Sequence, residues 1–151
     1  MKDIESIAEL LSATLVPIIA LVTVYIAWHQ YRLNRYRVRL DLFNRRLKVF
    51  ECVDSFLKSV ISSASCDFSD IRKLRQGTAE ARFLFGKEIP RYIDALVGHG
   101  SDLDTWNQKY AHPEYDHDKV VEGRSRERRW LTEQIDEAVT KFKKYLDMSR
   151  L

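Results

Sequence analysis

The chain has 151 residues, 45% hydrophobic and 31% charged, with a formal net charge of +3. So mild a balance excludes an argument for nucleic acid from overall charge; nucleic acid is not an expected partner, and local clusters carry the electrostatic information. Five Gly and three Pro disfavour a turn-rich all-β fold. Two cysteines without CxxC spacing make neither a disulfide framework nor a zinc ribbon, the usage of a reducing compartment.

Apolar character is concentrated at the beginning. Residues 1–9 are expected to form a short extracytoplasmic N-terminus, and from Leu10 to Tyr31 there is no Asp, Glu, Lys or Arg. Leu10 to Trp28 makes roughly 28 Å of helix, against a hydrocarbon core of about 30 Å. Leu10, Leu11, Leu15, Val16, Ile18, Ile19, Leu21, Val22, Val24 and Ile26 together offer roughly −3 to −6 kcal/mol on insertion. That offsets Ser12, Thr14 and Thr23, whose hydroxyls can bond back to the helix. Pro17 is expected to kink it. Tyr25, Trp28 and Tyr31 fall where an aromatic belt meets the headgroups. The pattern predicts a transmembrane helix over residues 10–31. A cleaved signal peptide is disfavoured because Lys2 stands against Asp3, Glu5 and Glu9, and no small-residue cleavage site follows the apolar run. Ala13, Ala20 and Ala27, seven apart, share one face and are the expected helix contact in lipid.

Arg32, Arg35, Arg37, Arg39, Arg45, Arg46 and Lys48 follow, opposed only by Asp41. The positive-inside rule then places residues 32–151 in the cytoplasm and the N-terminus outside. Arg32, Arg35, Arg37 and Arg39 lie within about 17 Å of the exit if helical. There anionic lipid contributes up to about 1 kcal/mol per basic residue, so these four are the expected headgroup contacts. Asp41 and Arg45 are spaced for an intrahelical pair.

No Gly or Pro interrupts residues 30–65, and a long helix is predicted over about 32–64, with the membrane helix able to run into it as one rod. Tyr36, Leu40, Phe43, Leu47, Phe50, Leu57 and Ile61 form a heptad stripe in which Asp54 takes one seam position; Leu42, Val49, Val53, Phe56 and Val60 widen it. Ser62 to Asp67 reads as a turn. Ser69 is then the expected cap of a helix over about 70–85 that contains Gly77 and stops at Gly86. A third helix, about 89–110, has Pro90 in its first turn, Ile89, Ile93 and Leu96 as its core face, and a break near 98–100 at Gly98-His99-Gly100. Residues 111–118, with Pro113, read as a loop. The last helix, about 120–148, carries Leu131, Ile135, Ala138, Phe142 and Tyr145. Short connections predict antiparallel neighbours, hence an all-α chain: one transmembrane helix continuing into a cytoplasmic antiparallel bundle.

Directly after the span comes Arg39-Leu40-Asp41-Leu42-Phe43-Asn44-Arg45-Arg46-Leu47-Lys48-Val49-Phe50-Glu51. It resembles a run, R-L-x-L-F-[DN]-x-R-x-x-V-[FY]-E, in a group of uncharacterised small bacterial single-span membrane proteins. Arg82-Phe83-Leu84-Phe85-Gly86, Glu88-Ile89 and Tyr92-Ile93 are similar to later parts of that group; Pro90 and the glycine pair depart from it. The resemblance implies a bacterial inner membrane and supplies no activity.

Two polar clusters remain. In HPEYDHD, His112, Asp116 and His117 are candidate metal ligands, with Glu114 and Asp118 beside them, although the spacing matches no established structural-zinc pattern. Arg124, Arg126, Arg128 and Arg129, interleaved with Glu127 and followed by Trp130, make either a phosphate-contacting cluster or a solvated helix face. There is no GxSxG elbow, P-loop, HExxH, or Cys paired with a fixed base. Neither catalysis nor a cofactor is expected. The sequence points to a membrane-anchored interaction or assembly module, partnered by anionic lipid and by its own copies or another protein. The alternatives are a homo-oligomeric, membrane-perturbing pore and a membrane-bound hydrolase using the HPEYDHD loop.

Overall fold

The computed structural model describes the backbone of residues 2–147 and the side chains of Leu15 and of residues 17–147. Among these the fold is all α: α1 Lys2–Ser63, α2 Phe68–Gly77, α3 Ala81–Leu84, α4 Glu88–Tyr110 and α5 His117–Lys143. The chain divides into two compact units between Asp41 and Leu42.

The first unit is the beginning of α1, whose helical backbone is continuous through Pro17. Thr23 Oγ1 donates to the carbonyl of Ile19 at 2.8 Å, so its hydroxyl is satisfied by the helix itself. Leu15, Ile18, Ile19, Leu21, Val22, Val24, Tyr25 and Ile26 are 48–72% exposed. At 3.6 residues per turn this near-consecutive run points to every side of the helix, so no single packing face accounts for it. Among the described residues no helix is long and apolar enough to cross a membrane. Of the expected span, the side chains of Leu10 to Thr14, Ala13 included, and of Val16 lie outside the described residues.

The second unit holds the core. From α1 it takes Val49, Val53, Phe56, Leu57 and Val60, all buried, while Phe43, Leu47 and Phe50 are only half-buried and Tyr36, Leu40 and Ile61 are exposed. The buried face is therefore centred on the residues expected only to widen the stripe, with Leu57 common to both. The rows 49-53-56-60 and 50-57-61 have the same spacing and lie about 100° apart, so periodicity alone does not choose between them. Asp54, half-buried, reaches Lys58 Nζ at 2.6 Å along the helix.

Ala64, at φ 52°, turns the chain out of α1 in the left-handed conformation. The cap of α2 is Asp67 and not Ser69. Asp70 N–H donates to Asp67 Oδ1 at 2.9 Å and Asp67 N–H to Asp70 Oδ2 at 3.4 Å, a reciprocal capping box. The helix expected over 70–85 is two helices, because α2 ends at Gly77. A Cβ there would stand 2.4 Å from Cys52 Sγ, so α2 approaches α1 closely only where the side chain is missing. The expected break near 98–100 does not occur: α4 is continuous through both glycines. Gly100 is buried against Phe56, whose Cζ would lie 3.1 Å from an added Cβ; this packing contact offsets the conformational cost of a helical glycine. Asp116 caps α5, which starts before the expected position and ends at Lys143, short of 148; Tyr145 and Leu146 pack on the core from irregular backbone.

Among the described residues, α4 and α5 share the most extensive helix–helix contact. Phe142, fully buried on α5, has Phe50 and Phe85 rings at 5.4 and 5.3 Å. Arg46 fastens α1 beside them: its Nε donates to the Leu84 carbonyl at 3.1 Å and its Nη1 to that of Tyr145 at 3.4 Å. The guanidinium also lies 5.9 and 5.6 Å from the Phe85 and Tyr145 rings.

Candidate functional site

The best-defined polar site lies between α4 and α5. Leu96, Val97 and Leu103 turn α4 towards the core, which leaves His99 and Asp102, three apart, together on its flank. From α5 comes Glu127, whose side chain is only 6% exposed. His99 Nδ1 stands 2.6 Å from Glu127 Oε2, and Glu127 Oε1 accepts from Arg126 Nε at 3.0 Å. Trp130, one turn further along α5, stacks on the imidazole with ring centroids 3.6 Å apart at 22°. Ligand atoms of His99, Asp102 and Glu127 all lie within 4.8 Å of one another, the one such group among the described residues.

Burial alone would push the Glu127 carboxyl up, but hydrogen bonds from His99 and Arg126 outweigh it and hold it below the usual carboxylate range. An ionised carboxylate only accepts, so the Nδ1 nitrogen carries the proton between the two groups, and a neutral imidazole then leaves Nε2 as an acceptor. No hydrogen-bond or ion-pair partner of Asp102 is found among the described residues.

Comparison with protein-family models, with curated proteins and with solved structures found no match. The site therefore stands on its own geometry.

The residues singled out in the sequence are differently placed. Arg32 lies over the Trp28 ring at 5.1 Å and Arg35 over Tyr31 at 5.7 Å, each one helical turn apart. Arg32, Arg35, Arg37 and Arg39 are exposed, and none has a carboxylate partner among the described residues. Ala20 and Ala27 are exposed on α1; Ala13 lies outside the described side chains.

His112, Asp116 and His117 are not brought together as a chelating group. Asp116 is occupied as a helix cap, accepting from Lys119 N–H at 3.4 Å and meeting Lys119 Nζ at 3.2 Å. The rings of His117 and His112 lie against Tyr110 and Tyr115 at 5.2 and 6.5 Å. The second arginine cluster is split. Arg124 Nε donates to Asn107 Oδ1 at 2.8 Å with Tyr110 beneath it, and Arg126 is held by Glu127, whereas Arg128 and Arg129 are exposed. Arg45, expected to pair along the helix with Asp41, reaches Glu80 Oε2 at 3.5 Å.

His99 and Asp102 escaped sequence reasoning because Gly98-His99-Gly100 reads as a helix break. The available signal was the H-x-x-D spacing, which is meaningful only once the helix is known to continue. A shallow groove of about 400 Å³ opens between α2, α3 and α4, with Ala81, Ile93 and Val97 inside and Arg75, Arg82 and the 89%-exposed Phe83 at its sides.

Proposed function

We propose that the chain is a membrane-anchored, non-enzymatic helical module that recruits a partner or its own copies at a bacterial inner membrane. The observation that carries this reading is the run from Leu15 to Ile26, large apolar side chains exposed around the whole circumference of α1. Water would solvate that surface at a cost of about 25 cal/mol per Å², whereas hydrocarbon removes the cost for all sides at once. The uncharged stretch Leu10 to Tyr31 in the sequence supports a span, and the resemblance of the Arg39–Glu51 run supports the compartment.

Orientation in this reading follows from the arginines. Arg32, Arg35, Arg37 and Arg39, without carboxylate partners among the described residues, would meet anionic headgroups on the cytoplasmic side. Trp28 and Tyr31 beneath Arg32 and Arg35 fit the same boundary, since aromatic rings favour that depth. The second unit would then present its surfaces, the groove beside Phe83 among them, to partners already concentrated in two dimensions.

The test is fractionation of cells making the full chain. Retention in the membrane pellet after an alkaline carbonate wash, with release by detergent, is the expected result. Recovery in the supernatant after ultracentrifugation without detergent would overturn both the anchor and the compartment.

A further inference from the structure

We propose that His99, Asp102 and Glu127 form a binding site for a divalent transition-metal ion such as zinc, clamping α4 to α5. The proposal is independent of the membrane reading, because all three residues belong to the second unit. Three features of the site point to a cation.

The donors converge from two helices, with ligand atoms within 4.8 Å of one another. Tetrahedral ligand bonds of about 2.0–2.2 Å place donor atoms about 3.3–3.6 Å apart, so His99 Nδ1 and Glu127 Oε2 open from 2.6 Å and Asp102 moves in by up to about an ångström. Asp102 is exposed and can make that movement at little cost.

Two of the donors, His99 and Glu127, are also held in place before any ion arrives. Trp130 stacks on the His99 ring, and Arg126 holds the outer oxygen of Glu127, leaving Oε2 directed at the imidazole. Such partners fix the orientation of ligands in established metal sites.

The third feature is Asp102 itself. A simple His99–Glu127 hydrogen bond would join the helices without it. Instead a second carboxylate stands beside an already ionised one, with no cationic partner of its own among the described residues. A divalent ion removes that repulsion. The competing occupant of the same space is a proton on His99.

The exchange balances simply. The Nδ1 proton moves through solvent to Nε2, the metal ion takes the Nδ1 lone pair so freed, the imidazole stays neutral, and the two carboxylates neutralise the ion's charge. One imidazole and two carboxylates suit zinc, cobalt or manganese better than a soft ion such as Cu(I), and three protein ligands leave a position for water.

The experiment is calorimetric titration of tag-free, full-length protein in detergent with Zn²⁺, with the visible absorption of Co²⁺ as a second readout. Expected is one saturable site that binds one ion per chain. Asp102→Asn and His99→Gln should each weaken binding by more than about tenfold, since a ligand is worth at least as much as the outer-shell partners that orient it. A His112→Ala/His117→Ala double variant should bind as the parent does. Asp102→Asn keeps the test decisive if Glu127→Gln fails to fold, because Asp102 is exposed and holds nothing in place. Absence of saturable binding, binding indifferent to Asp102→Asn and His99→Gln, or binding lost in the His112/His117 variant would each overturn the proposal.

Discussion

Gly98 and Gly123 sit in the interiors of α4 and α5, and alanine in their places should have opposite effects. A Cβ added at Gly98 meets nothing within 4 Å. Gly98→Ala should therefore realise the helix-propensity difference and stabilise the protein by about 0.5–1 kcal/mol. A Cβ at Gly123 would stand 2.6, 2.7 and 2.9 Å from Cε2, Cδ2 and Cζ2 of Trp106, a rigid ring system and not the end of a flexible chain. The indole must then be displaced, and Lys109 Nζ, 4.6 Å from that ring, loses its place over it. Overpacking costs about 1–3 kcal/mol, which exceeds the propensity gain of about 1 kcal/mol. Gly123→Ala should therefore be neutral to about 2 kcal/mol destabilising. The two variants should differ by roughly 0.5–3 kcal/mol, and each kcal/mol moves the midpoint of a domain of about 100 residues by about 4–8 °C. Thermal and urea unfolding followed by circular dichroism, with the full chain in detergent, measures the difference. If Gly123→Ala proved as stable as Gly98→Ala, the close approach of α5 to Trp106 would be wrong.

Arg46→Ala should destabilise by about 1–3 kcal/mol in the same assay, since it strips donors from the Leu84 and Tyr145 carbonyls; Lys should restore only part, lacking the planar fork. Asp67 and Asp116 are held below the usual carboxylate range, Asp67 chiefly by the Asp70 N–H and Asp116 by the Lys119 side chain. A depressed folded value means that their contribution is present above the ordinary carboxylate range and disappears as pH falls through the folded value; Asp67→Asn should flatten the acid limb of a stability–pH profile. Burial pushes the Cys66 thiol from 9.0 up to about 12. Its thiolate fraction in folded protein near pH 8 should be lower by about a thousandfold, so maleimide labelling should be slow until urea is added. For this raised thiol the neutral form is favoured by folding, and stability falls as pH rises above the unfolded value.

All-α character, the long first helix and most core positions were legible because 3.6-residue periodicity registers directly in the sequence. Val49, Val53, Phe56 and Val60 show its limit: two adjacent apolar rows with equal spacing compete, and only the neighbouring helices decide which is buried. Helix ends were less legible. Gly77 ends α2 and Gly100 does not end α4, because one lies against Cys52 where the chain turns and the other fills a contact with Phe56 inside a helix. The polar site was hidden for the same reason. Glu127 was visible only as an acid among arginines, and it meets His99 only because α5 folds back along α4 after the intervening connection. The HPEYDHD loop drew notice by composition, yet its Asp116 is used in starting a helix.

The contact of Gly77 with Cys52 also bears on divergence. Position 77 has no room for a side chain while position 52 keeps its sulfur, so the two sites are one unit of variation. Chains descended from a common ancestor should change both together, a larger residue at one accompanied by a smaller one at the other. A collection of such chains could therefore show whether α2 still lies against α1 in distant descendants before any of their structures is known.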